Sequence, residues 1–288
     1  MRDLNHQLKG LCRRNRDGSR STQAHRERLL SFISNELHTL GYRRMNATSL
    51  KPKHVDALVA RWQANNLSEG TLKNRMSALR WWAEKINKQN IIARDNSYYG
   101  IAPRQLIGDA SKAKELTAEA LARIKDPYVR MTLELQQAFG LRREEAIKFA
   151  PAYADRDDRL VLKPSWTKGG RTREIPVNTD AQREVLDRSH QLAGKGSLIP
   201  SNLRYVEQLR RYEHHVSQAG LSKMHGLRHA YAQQRYETLT GWACPMAGGP
   251  RRETLSPEQL DVDREARLTI SQELGHEREQ ITAVYLGH

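Results

Sequence analysis

The sequence predicts a mainly helical protein of two domains, with a small antiparallel sheet in the second, and three observations predict it. Apolar residues recur at helical spacing over most of the 288 residues, as in Leu30, Ile33, Leu37 and Leu40. One stretch breaks that rhythm. RLVLKP at 159–164 and TREIPV at 172–177 read as two strands, joined by SWTKGGR with Gly169-Gly170 at the hairpin tip. Between 90 and 115 the periodicity fades into turn-rich sequence. The expected segments are a basic stretch at 1–23, a helical domain at 24–100, a linker at 101–114 and a second domain at 115–288.

Taken in order, Leu4, Leu8 and Leu11 sit at helical spacing until Asp17-Gly18-Ser19 ends the run. The Leu30–Leu40 stripe stops at Gly41, a natural C-terminal residue. A second helix begins near Pro52 and lines up Val55, Leu58, Val59 and Trp62. A third follows Ser68 as N-cap and carries Leu72, Met76, Leu79, Ala83 and Ile86. Its remaining positions include Lys73, Asn74, Arg75, Ser77 and Arg80, a polar front that is either a groove-facing surface or simply solvated. In the second domain Leu116-Thr117 opens a helical section, Asp126-Pro127 caps a helix, and Gly140 closes it. From about 180 onward the pattern is helical again.

Composition narrows the partner. The formal net charge is +15, which points to a polyanion, either nucleic acid or an anionic membrane surface. No apolar run approaches the roughly 18 to 20 residues that span a bilayer, and the N-terminus has no apolar signal core. Cys12 and Cys244 are too far apart to read as a metal knuckle or a disulfide framework, so a reducing, cytoplasmic setting is expected. The charge is uneven. Residues 1–112 hold 21 basic and 9 acidic side chains, net +12, against 27 and 24, net +3, in the remainder. That asymmetry fits a first domain that tracks phosphates and a second that holds a pocket.

Familiar catalytic signatures are missing: no nucleotide-binding glycine loop and no GxSxG elbow. HGLRH spaces His225 and His229 like a zinc pair, but Gly226 stands where a zinc protease needs glutamate, so no metal is expected. A scattered set remains. Arg142 in FGLRREEA follows Gly140 at a helix start, where it is either an anion ligand or an exposed charge. Lys168 lies on the hairpin tip, as a groove contact or a solvated turn residue. His225 and Arg228 share one helical turn, and His276 in LGHEREQITAVY precedes Tyr285 by nine residues.

GLRxxE, a hairpin lysine, HxLRH, and LGH with a tyrosine nine residues on, in that order, resemble the tyrosine recombinase (phage integrase) family. The likeness covers roughly 116–288, and the basic helical 24–100 is similar to that family's core-site-binding domain. GLRREEAIKF, SWTKGG and HGLRHAYAQ further resemble a subgroup from integrating conjugative or genomic-island elements. The resemblance implies a two-domain clamp on duplex DNA and a phosphotyrosine intermediate. It assigns Arg142 and Arg228 to the scissile phosphate, His225 to base or hydrogen-bond duty, and His276 to donation toward the phosphate. Lys168 would be the general acid and Tyr285 the nucleophile, with Glu145 and His229 as structural support. Neither metal nor ATP is implied. Expected partners are DNA attachment sites, a homotetramer on two of them and accessory DNA-bending proteins, with no membrane and a nucleoid location. A catalytically silent DNA-binding protein of the same fold and a type IB topoisomerase are the alternatives. Two departures stand out. Forty-seven residues separate Arg228 from His276, which predicts a surface insertion at about 241–268. Only three residues follow Tyr285, too few for the C-terminal helix that docks on a neighbouring subunit in many such proteins.

Overall fold

The computed structural model describes residues 3–276 and 281–288. The chain divides into two compact units, Met1–Gln105 and Leu106–His288.

The first unit is built from helices α1 (Asp3–Arg14), α2 (Arg20–Thr39), α3 (Pro52–Ala64) and α4 (Glu69–Lys85). The Ser19 and Ser68 side chains cap α2 and α4, accepting from the amides of Thr22 and Thr71. Leu8, Leu30, Ile33, Leu37, Leu58, Trp62, Met76, Leu79 and Trp82 share one core. Truncating either tryptophan to alanine would cost about 3–5 kcal/mol. Each indole is satisfied, Trp82 donating to the Ala47 carbonyl at 2.8 Å and Trp62 to Glu36. The stretch expected as a separate basic segment is corrected here: Leu4, Leu8 and Leu11 bury α1 in the same core, against α2.

The second unit begins with α5 (Ala118–Ala122), capped by Thr117, and α6 (Pro127–Phe139), capped by Asp126. Then come α7 (Arg143–Ile147) and α8 (Pro151–Ala154). Strands β1 (Arg159–Leu162) and β2 (Arg173–Pro176) pair antiparallel, with Leu162 opposite Arg173. The helices α9 (Asp180–Ala193), α10 (Tyr205–Gln218), α11 (Gly226–Thr240), α12 (Pro257–Leu274) and α13 (Ala283–Leu286) complete the unit. The α11 helix is central: it packs on α6, α12 and α13. Residues at the near end of the expected linker also belong to this unit, since the Lys114 amide donates to Gly226 O at 3.0 Å.

The expected surface insertion is corrected in part. Residues 251–254 are exposed, but Cys244, Asp263, Ala266 and Arg267 are buried. The sequence there reads as polar because Asp263 and Arg267 stand i, i+4 on α12 and neutralise each other facing inward.

Gly140 ends α6 in the left-handed region, at φ 59°, and a Cβ there would lie 2.5 Å from Tyr231 Cδ1. Gly241 ends α11 at φ 84° with open space around it. Both alanine substitutions incur backbone strain, but only Gly140→Ala also overpacks the core, for about 1–3 kcal/mol more. Urea melts of the two variants should show that gap, and equal losses would rule out the close approach as its cause.

Candidate active site

The site begins where α6 ends. Gly140 turns the chain so that Arg142 becomes the residue before α7, and Glu145 closes a capping box on it. The Arg142 amide donates to Glu145 Oε2 at 2.7 Å, and Arg142 Nη1 donates to Oε1 at 2.8 Å. Glu145 is fully buried. Arg173 reaches the same carboxylate from β2, with Nη2 to Oε2 at 2.7 Å and Nη1 to Oε1 at 3.2 Å. Arg228, 1% exposed in the first turn of α11, donates through Nη1 to Gly140 O at 2.6 Å. All three guanidiniums also converge on the carbonyl of Leu274, the last residue of α12. Arg173 Nη1 is 3.0 Å from it, Arg142 Nη2 3.2 Å, and Arg228 Nη2 closer still. A helix C-terminus carries partial negative charge, so this carbonyl is a fitting acceptor.

Burial alone would raise the Glu145 carboxyl, but Arg173, then Arg142 and Arg228, outweigh it and hold its pKa below the usual carboxylate range. Burial, then Arg173 and Arg142, pushes Arg228 down to about 10, so it stays charged at neutral pH. The cluster therefore concentrates positive charge around a single carboxylate.

Tyr285 on α13 points its hydroxyl into this cluster. Arg228 Nε donates to Tyr285 Oη at 3.4 Å, and His225 Nε2 lies 3.2 Å from the same oxygen. His225 keeps much of its surface open, yet the packed atoms around its ring, then Arg228 and Arg142, hold its pKa below the ordinary histidine value. The neutral ring can accept the phenolic proton, because Tyr285 Oη already receives one from Arg228. His276 stacks beside the phenol, ring centroids 5.2 Å apart. Its Nε2 lies 3.4 Å from Arg228 Nη2, which can only donate, so Nδ1 carries the proton and donates to Thr282 Oγ1 at 3.0 Å. Burial, then Arg228, Arg142 and Arg173, drives His276 down to about 3. His229 packs its ring 4.4 Å from that of Tyr285, and burial, then His225, lowers it to about 4.

Arg142, Glu145, His225, Arg228, His229, His276 and Tyr285 thus meet at one place. Lys168 does not join them. It is exposed on the loop between β1 and β2, and its ammonium has no partner among the described residues. Part of the motif linking His276 to Tyr285, residues 277–280, lies outside the described residues. The polar front of α4 divides. Asn74 and Ser77 are exposed and Lys73 is half-buried. Arg75 instead lies over the rings of Phe32 and Trp62, at 4.4 and 5.0 Å, and pairs with Glu36 at 3.5 Å. Arg80 donates to the Ala93 carbonyl and to Asn96. Arg75 and Arg80 are thus both engaged by groups of their own unit, which helical spacing does not reveal.

Sequence reasoning missed Arg173. It shares the buried face of β2 with Ile175, and an arginine at an apolar position of a strand was the available signal. Gly275 makes room for it: at φ 62°, a Cβ there would lie 2.8 Å from Arg173 Cδ.

Two family descriptions match the chain: "Phage integrase, N-terminal" over residues 1–91 and "Integrase" over residues 107–234. The second span contains Arg142, Lys168, His225 and Arg228, and ends before His276 and Tyr285. No curated protein sequence matches. Among solved structures, a lambda integrase dimer bound to a core site is similar at 16% identity and TM-score 0.62, covering 98% of this chain and 76% of that one. The Tn1549 transposon integrase bound to circular-intermediate DNA is similar at 14% identity and TM-score 0.58, covering 100% and 96%. The XerH site-specific recombinase on its substrate follows at 15% and 0.57, covering 99% and 81%. These structural likenesses establish a shared fold.

The two depressed histidines set an acid limit. Folded His229 and His276 protonate near 4 and 3, below the ordinary 6.5, so their stabilisation is full above about 6.5 and lost as pH falls. Each should contribute up to about 1.4 kcal/mol per pH unit across that window. Unfolding measured between pH 6.5 and 4.5, above most carboxylate titration, should show a slope that shrinks in His229→Gln/His276→Gln. A slope unchanged by the double substitution would refute the assignment.

Proposed function

Because the chain belongs to the phage integrase family of tyrosine recombinases, we propose that it is a site-specific recombinase that cuts and rejoins duplex DNA through a 3′-phosphotyrosine on Tyr285. One observation carries this reading: the Tyr285 hydroxyl sits between Arg228 Nε and His225 Nε2, at 3.4 and 3.2 Å.

A phenol with an ordinary pKa near 10 is a weak nucleophile at neutral pH and needs a proton acceptor and cationic neighbours. His225 Nε2 takes the proton as Tyr285 Oη bonds to phosphorus. Negative charge grows on the non-bridging oxygens, where Arg142 and Arg228 stabilise it. The bond from phosphorus to the 5′ oxygen breaks, and Lys168 protonates that oxygen. His276, neutral at working pH, donates to Thr282 and accepts from Arg228. It so steadies that guanidinium beside the phosphate, in place of the donation to the phosphate that the resemblance implied, and Glu145 and His229 support the arrangement. The phosphotyrosine conserves the bond energy, and attack by a 5′ hydroxyl of a second strand reverses the chemistry.

The first unit supplies the remaining contacts through its net positive charge, with Lys73, Asn74 and Ser77 of α4 toward the groove. One of the similar structures is a lambda integrase tetramer bound to a Holliday junction. By analogy, four protomers act here on two attachment sites, with accessory DNA-bending proteins, in moving a mobile genetic element.

Tyr285→Phe should bind target DNA normally yet form no covalent adduct on a nicked suicide substrate. A denaturation-resistant protein–DNA band in that variant would assign the nucleophile elsewhere.

Lys168→Ala should slow cleavage of ordinary DNA by roughly two to four orders of magnitude. A substrate with sulfur at the 5′-bridging position needs little protonation on leaving, so the variant should cleave it nearly as fast as the unsubstituted protein. Arg142→Ala and Arg228→Ala should gain no such rescue. Equal impairment of Lys168→Ala on both substrates would make it a groove contact instead.

A further inference from the structure

The helix that carries Tyr285 is a single turn, Ala283–Leu286, too short to hold its own place. Its direction must come from contacts beyond it. Two buried side chains grip its backbone. Gln233 on α11 donates through Nε2 to the carbonyl of Tyr285 at 3.0 Å, and is itself held by Ser111 at 3.0 Å. Arg267 on α12 donates through Nη1 to the carbonyl of Gly287 at 2.8 Å. Asp263 aims that guanidinium, accepting from Arg267 Nε at 2.7 Å, and also accepts from the Tyr236 hydroxyl at 2.7 Å. Gly287 lies so close to Pro245 and Met246 that a Cβ there would meet the Met246 nitrogen at 3.0 Å.

Asp263, Arg267 and Tyr236 are all buried, yet Asp263 Oδ2 and Arg267 Nη2 have no hydrogen-bond partner. An ion pair left partly unsatisfied in the interior adds little stability over apolar residues of equal volume. What it supplies is direction, because the planar guanidinium fixes where its donors point. Resting on the recombinase reading, we propose that Arg267, aimed by Asp263, is a positioning residue that anchors the Gly287 carbonyl and so holds the Tyr285 hydroxyl in its own chain's arginine cluster. The segment between Arg228 and His276 is then the seat of the nucleophile.

The test places 3-fluorotyrosine at position 285 alone and compares the protein with Arg267→Met and with Asp263→Asn/Arg267→Met. The second variant leaves no stranded buried carboxylate and keeps an acceptor for Tyr236, so it folds if the first does not. Fluorine resonance reads the surroundings of residue 285 without any cleavage. Single-turnover adduct formation at saturating DNA reads positioning, and DNA affinity is measured in parallel. Loss of the anchor should shift the resonance toward that of a solvent-exposed tyrosine and slow adduct formation about tenfold to a hundredfold, the scale of small misplacements of a reacting group. DNA affinity should not change. An unmoved resonance, or an unchanged single-turnover rate, overturns the proposal. Should the unsubstituted protein form no adduct, the recombinase reading fails, and the resonance alone decides whether Arg267 anchors the segment.

Discussion

Arg142, Arg173 and Arg228 crowd one carboxylate, Glu145, and one carbonyl, that of Leu274, and the second unit is arranged around making that crowding tolerable. Two like charges about 4 Å apart repel by about 4 kcal/mol at an effective dielectric of 20, so three guanidiniums, of which Arg173 and Arg228 are buried and Arg142 partly so, need strong compensation. Glu145 provides a full charge and the end of α12 a partial one. Removing Glu145 would leave buried cations uncompensated, a loss of about 3–5 kcal/mol. The cluster remains short of negative charge even so. Under the proposed function a phosphodiester fills that deficit, and the transition state, with more charge on its oxygens, fills it better.

The same positive field settles the protonation of its neighbours. Burial and the arginines keep His276 and His225 neutral where histidine would ordinarily begin to charge. A neutral His225 is a proton acceptor facing the phenol. A neutral His276 donates in one fixed direction, to Thr282, and offers its other nitrogen to Arg228. Electrostatics and hydrogen-bond geometry therefore agree on one protonation state. That agreement is the preorganisation that charge-stabilising catalysis needs.

The first unit solves a different electrostatic problem. Its surplus of basic residues would repel itself if clustered, and part of it is absorbed by aromatic faces and by Glu36. Arg26 lies over Trp81, while Arg75 lies over Trp62 and Phe32. These arginines stiffen the helical core, and the surface charge left over is what remains for a polyanion.

Much of this was legible in the sequence. Helix stripes, the Ser68 and Asp126 caps, the Gly140 stop and the GG hairpin are local signals, set within one or two turns of chain. The ordered motifs containing Arg142, His225, Arg228, His276 and Tyr285 named residues that the fold then brought together. Other features were out of reach. That Arg173 completes the cluster depends on which face of a four-residue strand meets α12, and that Arg75 turns to Trp62 depends on helix packing. The buried role of Asp263 and Arg267 hides in a stretch whose composition reads as surface. Periodicity reports which residues share a face of their own element. Which groups that face meets is decided only when distant segments close on one another, and there the pairing of charges overrides the hydropathy of each residue taken alone.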